Sequence, residues 1–294
     1  MTLSQKLFST KSERVKCCDF HPSQPWVLCS LFSGKLQIWN FLTQTLVQMI
    51  TVSEKPVRCA KFIARKNWIV AVSDDQNVHV LDCETGGHVT KFEAHLDFIR
   101  SVDVHPTLPL VLTSSDDETV KLWDWEKGWT CQVFSAHTHY VMQAAFCPQN
   151  PNMFASASLD GTVIIWDIPS KATIGTLHGN KKGVNCLAFS SDEKPYLVSG
   201  SDDRTAKIWD IEKMTCIGTL TGHTDNITAV VVHPEHPLVY TASEDGTVRS
   251  WSINKLTLEK TTDLGMERAW SLCMHKGFNV LAVGSDQGTA VFRC

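Results

Sequence analysis

The chain has 294 residues, 43% hydrophobic and 20% charged, with a formal net charge of -4. This is the composition of a soluble globular protein: no apolar run approaches the roughly 20 residues of a membrane span, and the bulk charge offers no attraction to nucleic acid. The opening Met1-Thr2-Leu3-Ser4-Gln5-Lys6 has no signal-peptide hydrophobic segment, and the eleven cysteines are odd in number and lie mostly in strand-like runs, which predicts reduced thiols and the cytosol.

In chain order, Gln5-Lys6-Leu7-Phe8-Ser9-Thr10 comes first and stands to the first repeat as Thr90-Lys91-Phe92-Glu93 stands to the third. A strand-like run ending in His-Pro or a relative of it then recurs as VKCCDFHP (15–22), IRSVDVHP (99–106), VMQAAFCP (141–148) and ITAVVVHP (227–234). Each is followed by a polar turn and an alternating run of β-branched and aromatic residues, the pattern of a strand leaving a tight turn. The clear copies are TSSDDETVKLWDW (113–125), SASLDGTVIIWD (156–167), SGSDDRTAKIWD (199–210) and TASEDGTVRSWS (241–252). Blurred copies are CSLFSGKLQIWN (29–40), AVSDDQNVHVLD (71–82) and AVGSDQGTAVFR (282–293).

The equivalent positions are Trp39, Leu81, Trp123, Trp166, Trp209, Trp251 and Phe292, a period of 41 to 43 residues. Seven copies at that period, several closing on Trp-Asp, predict an all-β, seven-bladed propeller filling residues 1–294 as a single domain. The whole chain resembles the WD-repeat β-propeller family. An open ring would leave two unpaired sheet edges, so the Gln5–Thr10 run is expected to complete the last blade as its outer strand.

Three repeats carry a His before the first strand, an Asp in the later turn and a Trp beyond it: His95/Asp117/Trp123, His137/Asp160/Trp166 and His223/Asp245/Trp251. Three copies without a positioned nucleophile read as repeated structural bonds, with no catalytic residue among them. Repeats one, two and seven lack the His. Neither Cys17-Cys18 nor the HTHY at 137–140 has metal-ligand spacing, so no metal or cofactor is expected.

Registering the repeats isolates positions that the blade does not need. The residue opening the first strand is read as Lys16, Arg58, Arg100, Gln143, Asn185, Thr228 and Trp270, and the residue before the structural Asp as Phe32, Asp74, Asp116, Leu159, Asp202, Glu244 and Ser285. Repeats seven and one also bring Arg268 and Arg14, and repeat three brings Asp97. These residues are expected around one mouth of the central channel, as a basic pocket beside an acidic one. Such an arrangement suits a peptide ending in a carboxylate, with a lysine two residues before its last residue and roughly 10 Å away. The same residues could instead pair with one another, leaving no deficit for a ligand.

RVKCCDFHPSQPWVL (14–28), PVRCAKFIARKNWIV (56–70), FEAHLDFIRSVDVHP (92–106), SDDETVKLWDWE (115–126) and ERAWSL (267–272) resemble, more specifically, the N-terminal propellers of the coatomer beta-prime family. The resemblance implies a non-enzymatic module of a cytosolic vesicle coat, peripheral at Golgi membranes, that binds C-terminal dilysine tails of membrane cargo. It touches the membrane only indirectly and meets other coatomer subunits through regions outside this chain, which would be an excised N-terminal domain. It implies further that Arg14, Lys16 and Arg58, with Arg268 beside them, hold the peptide carboxylate, and that Asp97 and Asp116 hold the lysine. Phe32 stands where the family has a tyrosine, which keeps the aromatic wall and removes a hydroxyl. The alternative on the same face is a different interaction scaffold, such as a ubiquitin-ligase substrate receptor.

Overall fold

The computed structural model describes residues 5–191 and 195–294; Met1 to Ser4, at the start of the opening segment, lie outside the described residues. The alternating runs form seven antiparallel four-stranded sheets, the blades of a propeller. Six are built from strands consecutive in sequence. In the seventh, Gln5–Lys11 pairs with the outer edge of Gly288–Arg293, from Gln5 opposite Arg293 to Lys11 opposite Gly288. The last blade takes its outer strand from the N-terminal segment, so the two sheet edges an open ring would leave are paired with each other. No helix is long and apolar enough to cross a membrane.

Because alternate side chains point to opposite faces of each sheet, both faces of a blade bury apolar residues against its neighbours. Leu28, Leu36 and Ile38 of blade one meet Val57, Ala60, Ile69 and Ala71 of blade two. At the closure, Phe8, Val280, Ala282 and Val291 of blade seven pack on Val15, Cys18, Cys29 and Phe41 of blade one. The core is thus a ring of inter-blade layers.

The three His-Asp pairs are bonded, and the Trp joins through a hydroxyl that the repeat pattern does not single out. His95 Nδ1 donates to Asp117 Oδ2 at 2.8 Å, Thr113 Oγ1 donates to His95 Nε2 at 2.7 Å, and Trp123 Nε1 donates to the same Thr113 oxygen at 2.9 Å. Ser156 links His137 to Trp166, and Thr241 links His223 to Trp251, in the same way. Asp160 and Asp245 each accept from their own His at 2.7 Å. Each chain ties a loop, two strands and a turn of one blade together. Blade two, which has no His before its first strand, instead presents His79 from its third strand to Asp75, at 3.1 Å.

Two registers differ from the sequence reading. Every innermost strand carries a β-bulge one residue after its start: Val15 faces Leu31 and Cys17 faces Ser30, leaving Lys16 as the extra residue. In blade four the skipped residue lies between Val141 and Gln143, so Met142, and not Gln143, belongs to the column. Gln143 instead accepts the Leu187 N–H of the next blade through Oε1 at 3.0 Å. In blade seven Gly284 pairs with Thr289, where Ser114 pairs with Val120 in blade three, so the intervening turn is one residue shorter. Counting back from Phe292 therefore lands on Ser285, whereas the column member is Asp286. Its N–H bonds to Arg268 O at 3.0 Å, as Asp116 N–H bonds to Phe98 O.

Candidate functional site

A bulge re-aims the side chain of its extra residue, and bulges favour functional rims. Seven of them in register turn Lys16, Arg58, Arg100, Met142, Asn185, Thr228 and Trp270 to one end of the channel. There they meet the second column, which lies on the turn sixteen or seventeen residues further on. Arg58 grips Asp74 bidentately at 2.7 Å for both bonds. Arg100 grips Asp116 the same way, its Nε 2.6 Å from Oδ1. Asn185 Nδ2 donates to Asp202 at 2.7 Å and Trp270 Nε1 to Asp286 at 2.8 Å. Bulge and turn form a matched pair within each of these blades.

Blade one breaks the match. The residue opposite Lys16 is Phe32, an aromatic where blades two and three carry a carboxylate. Among the described residues Lys16 makes no ion pair; its Nζ lies 3.5 Å from the centroid of the Trp270 ring. Burial, and then the Arg58, Arg14 and Arg100 guanidiniums, outweigh the attraction of Asp286 and bring the Lys16 pKa down to about 7. An ammonium with three free donors beside three guanidiniums is a deficit that an anion would fill.

The other cations of this rim each meet a carboxylate. Arg14 Nε donates to Asp286 Oδ1 at 2.6 Å, and Arg268 Nε donates to Oδ2 of the same carboxylate at 2.9 Å. Burial would raise the Asp286 pKa, but the bonds from Trp270, Arg268 and Arg14 prevail and hold it below the usual carboxylate range. Phe32 lies between two guanidiniums, its centroid 5.1 Å from Arg14 Cζ and 5.4 Å from Arg58 Cζ. Such cation–π contacts orient the arginines without neutralising them.

The predicted site residues therefore fall into three groups. Arg14, Lys16, Arg58 and Phe32 line one cavity of about 530 Å³ at the channel mouth. Arg268 stands outside it, on a second cavity shared with Arg14, Phe32 and Asp286. Asp116 is held beneath Arg100 with its side chain 4% exposed. Asp97, partly buried, makes no ion pair among the described residues and accepts the Phe98 N–H at 2.7 Å. The expected separation into a basic and an acidic pocket is not what forms, since Asp74 and Asp116 each serve an arginine of their own blade. The sequence reading places Arg100, Asp74 and Trp270 on this rim without the partners they bond, and it misses Asp286. The recurring offset of sixteen between Arg58 and Asp74, Arg100 and Asp116, and Trp270 and Asp286 is the signal available for them. No group of three or more His, Cys, Asp or Glu among the described residues is placed to hold a metal ion.

Seven bulged blades around a charged channel mouth define a WD-repeat propeller, and comparison with known families agrees. Residues 47–259 match the family model of the Nucleolar protein 10-like, N-terminal domain, a β-propeller, and residues 2–40 match that of the WD domain, G-beta repeat. The chain belongs to this WD-repeat β-propeller family. Within it, the chain is similar to coatomer subunit beta'. It is 49% identical over 75 residues to coatomer subunit beta' of Homo sapiens and 51% identical over 75 residues to putative coatomer subunit beta'-3 of Oryza sativa subsp. japonica. Each of these matches covers 26% of this chain and 8% of the relative. Coatomer subunit beta'-1 of Arabidopsis thaliana is 58% identical over 62 residues, 21% of this chain and 7% of the relative.

Proposed function

We propose that this propeller is a non-enzymatic cargo-recognition module of a coatomer-type vesicle coat, and that its channel mouth binds the C-terminal dilysine tails of membrane proteins for Golgi-to-ER retrieval. The observation that carries the reading is Lys16, a partly buried ammonium with no counter-ion among the described residues, where blade one has Phe32 in place of the carboxylate of blades two and three. A peptide carboxylate would supply that counter-ion. Arg14, which meets Asp286 through Nε, and Arg58, fixed by Asp74, would complete the clamp, and Arg268 would add long-range attraction. The lysine third from the peptide's end would reach Asp97, a carboxylate of this rim without an ion pair among the described residues, with Asp116 as a second acceptor once Arg100 has taken its share. Similarity to coatomer subunit beta' supports the coat assignment. Other coatomer subunits as partners, and a cytoplasmic position on Golgi membranes, belong to the same proposal.

Calorimetric titration with a free-acid dilysine peptide and with its C-terminal amide tests it. Binding of the free acid, loss of binding on amidation, and loss again in Lys16→Met and Arg58→Ala are expected. Equal affinity for acid and amide would rule out the carboxylate clamp and favour a scaffold that takes internal peptide segments on the same face.

A further inference from the structure

One step along each innermost strand from the bulge, the repeat holds Cys17, Cys59, Ser101, Gln143, Cys186, Ala229 and Ser271. Equivalent positions of neighbouring blades approach each other around the channel, and blades one and two are the adjacent pair in which both are cysteines. The two sulfurs lie 3.2 Å apart. A disulfide needs about 2.05 Å, so closing the bond takes an approach of about 1 Å between two strands whose cysteines already pack together. The thiols are also unequal. Both line the 530 Å³ cavity, but Cys17 is only partly buried whereas Cys59 is buried. The hydrogen bond from Cys59 draws the Cys17 pKa down, with help from the Lys61 ammonium, which is held 2.9 Å from Asp19. Donating that bond, together with burial, pushes Cys59 up. Thiolate character with access to solvent is what makes a cysteine reactive.

We propose that Cys17 and Cys59 are a redox pair, oxidised by peroxide entering the channel mouth to a reversible disulfide between blades one and two. The Cys17 thiolate attacks one peroxide oxygen, the O–O bond breaks, and the hydroxide released takes up a proton, leaving a sulfenic acid. The Cys59 sulfur, giving up its proton, then attacks the sulfenic sulfur and expels the second water. Two thiols and one hydrogen peroxide give one disulfide and two waters. The residues immediately before the pair are Lys16 and Arg58, so the bond draws the two bulges together and distorts the anion clamp. This last consequence rests on the proposed function; the cross-link does not.

The test treats the reduced full chain with hydrogen peroxide, alkylates the remaining thiols and digests with trypsin. Cleavage after Lys16, Lys35, Arg58 and Lys61 places Cys17 in the peptide 17–35, with Cys18 and Cys29, and Cys59 alone in 59–61. The expected product is 17–35 joined to 59–61, reversed by dithiothreitol, lost in Cys17→Ser and Cys59→Ser, and retained in Cys18→Ser. Thermal melts of the variants check that each is folded, and Cys59→Ala repeats the test where a serine is tolerated poorly. A cross-link that survives in folded Cys17→Ser, or a wild-type protein whose two thiols stay alkylatable after peroxide, overturns the proposal. In the binding arm, oxidised wild type should bind the dilysine peptide severalfold more weakly, with recovery on reduction, while Cys59→Ser ignores peroxide. Unchanged affinity in the cross-linked protein overturns the regulatory half. Absence of binding by the reduced protein refutes the proposed function and leaves the cross-link to be judged by its own digest.

Discussion

Raising the pH from 7 to 9 should loosen a carboxylate ligand by a factor that derives from the surroundings of Lys16. In the free protein its pKa is about 7, because burial and Arg58, Arg14 and Arg100 outweigh Asp286. A bound carboxylate favours the ammonium and returns the pKa toward the ordinary value of about 10.4. The free protein therefore already carries the charge below pH 7, where affinity is full. Above pH 7 binding must take up a proton, and affinity falls about tenfold per pH unit, or about 100-fold by pH 9. Calorimetry of an N-acetylated free-acid dilysine peptide, in buffers of differing ionisation heat, measures both quantities, and proton uptake should approach one per peptide by pH 9. Lys16→Met should show no binding at either pH. In Arg58→Ala, followed without peptide by NMR of the lysine side chains, the Lys16 pKa should rise, since the largest repulsion on Lys16 is gone and Asp74 is left unpaired. Wild-type binding that is independent of pH and takes up no proton would refute this account of Lys16.

Three further outcomes test the fold. Thr113→Val keeps shape but strips His95 Nε2 and Trp123 Nε1 of their shared partner, and should cost about 2–4 kcal/mol in denaturant unfolding; a change under about 0.5 kcal/mol would show that the hydroxyl is dispensable. Burial lowers the pKa values of His95, His137 and His223, so below about pH 6.5 the unfolded chain binds protons that the native state refuses. Melting temperature should therefore drop from pH 7.5 to pH 5, and drop again below about pH 4 as protons compete for Asp117, Asp160 and Asp245, the last held at about 2 by Thr247 and His223 against the push of burial. A melting temperature that stays level down to pH 5 contradicts the buried-histidine assignment. Deleting residues 1–11 exposes the edge of Gly288–Arg293 and removes Phe8 from the closing core, so aggregation or loss of a cooperative melt is expected. A soluble monomer with the parent's melting curve would show that the ring does not need this strand.

Blade number, ring closure and the His-Asp pairs are legible in the sequence because each depends on residues that recur at a fixed period and do a local job. Trp123, Trp166 and Trp251 stand at the same step of the same strand, and the N-terminal run repeats the pattern of an outer strand without three partners of its own. The hydroxyls of Thr113, Ser156 and Thr241 sit in the same repeats but escape notice, since a Thr or Ser in a strand has no distinctive pattern until its neighbours are placed. Met142 and Asp286 are misassigned by counting for a geometric reason: a bulge and a turn one residue short shift the register, and counting along the chain cannot tell where the skipped residue falls. What three dimensions alone decided was the balance of charge. The sequence sorts Arg58 from Asp74 and Asp116 by sign, while folding pairs Arg58 with Asp74 and Arg100 with Asp116, because a bulge in one strand and the turn after the next come to lie side by side. Phe32 reads in the chain only as an aromatic wall. Set opposite Lys16 in a ring where two neighbouring blades carry a carboxylate at that place, it leaves Lys16 without an ion pair among the described residues.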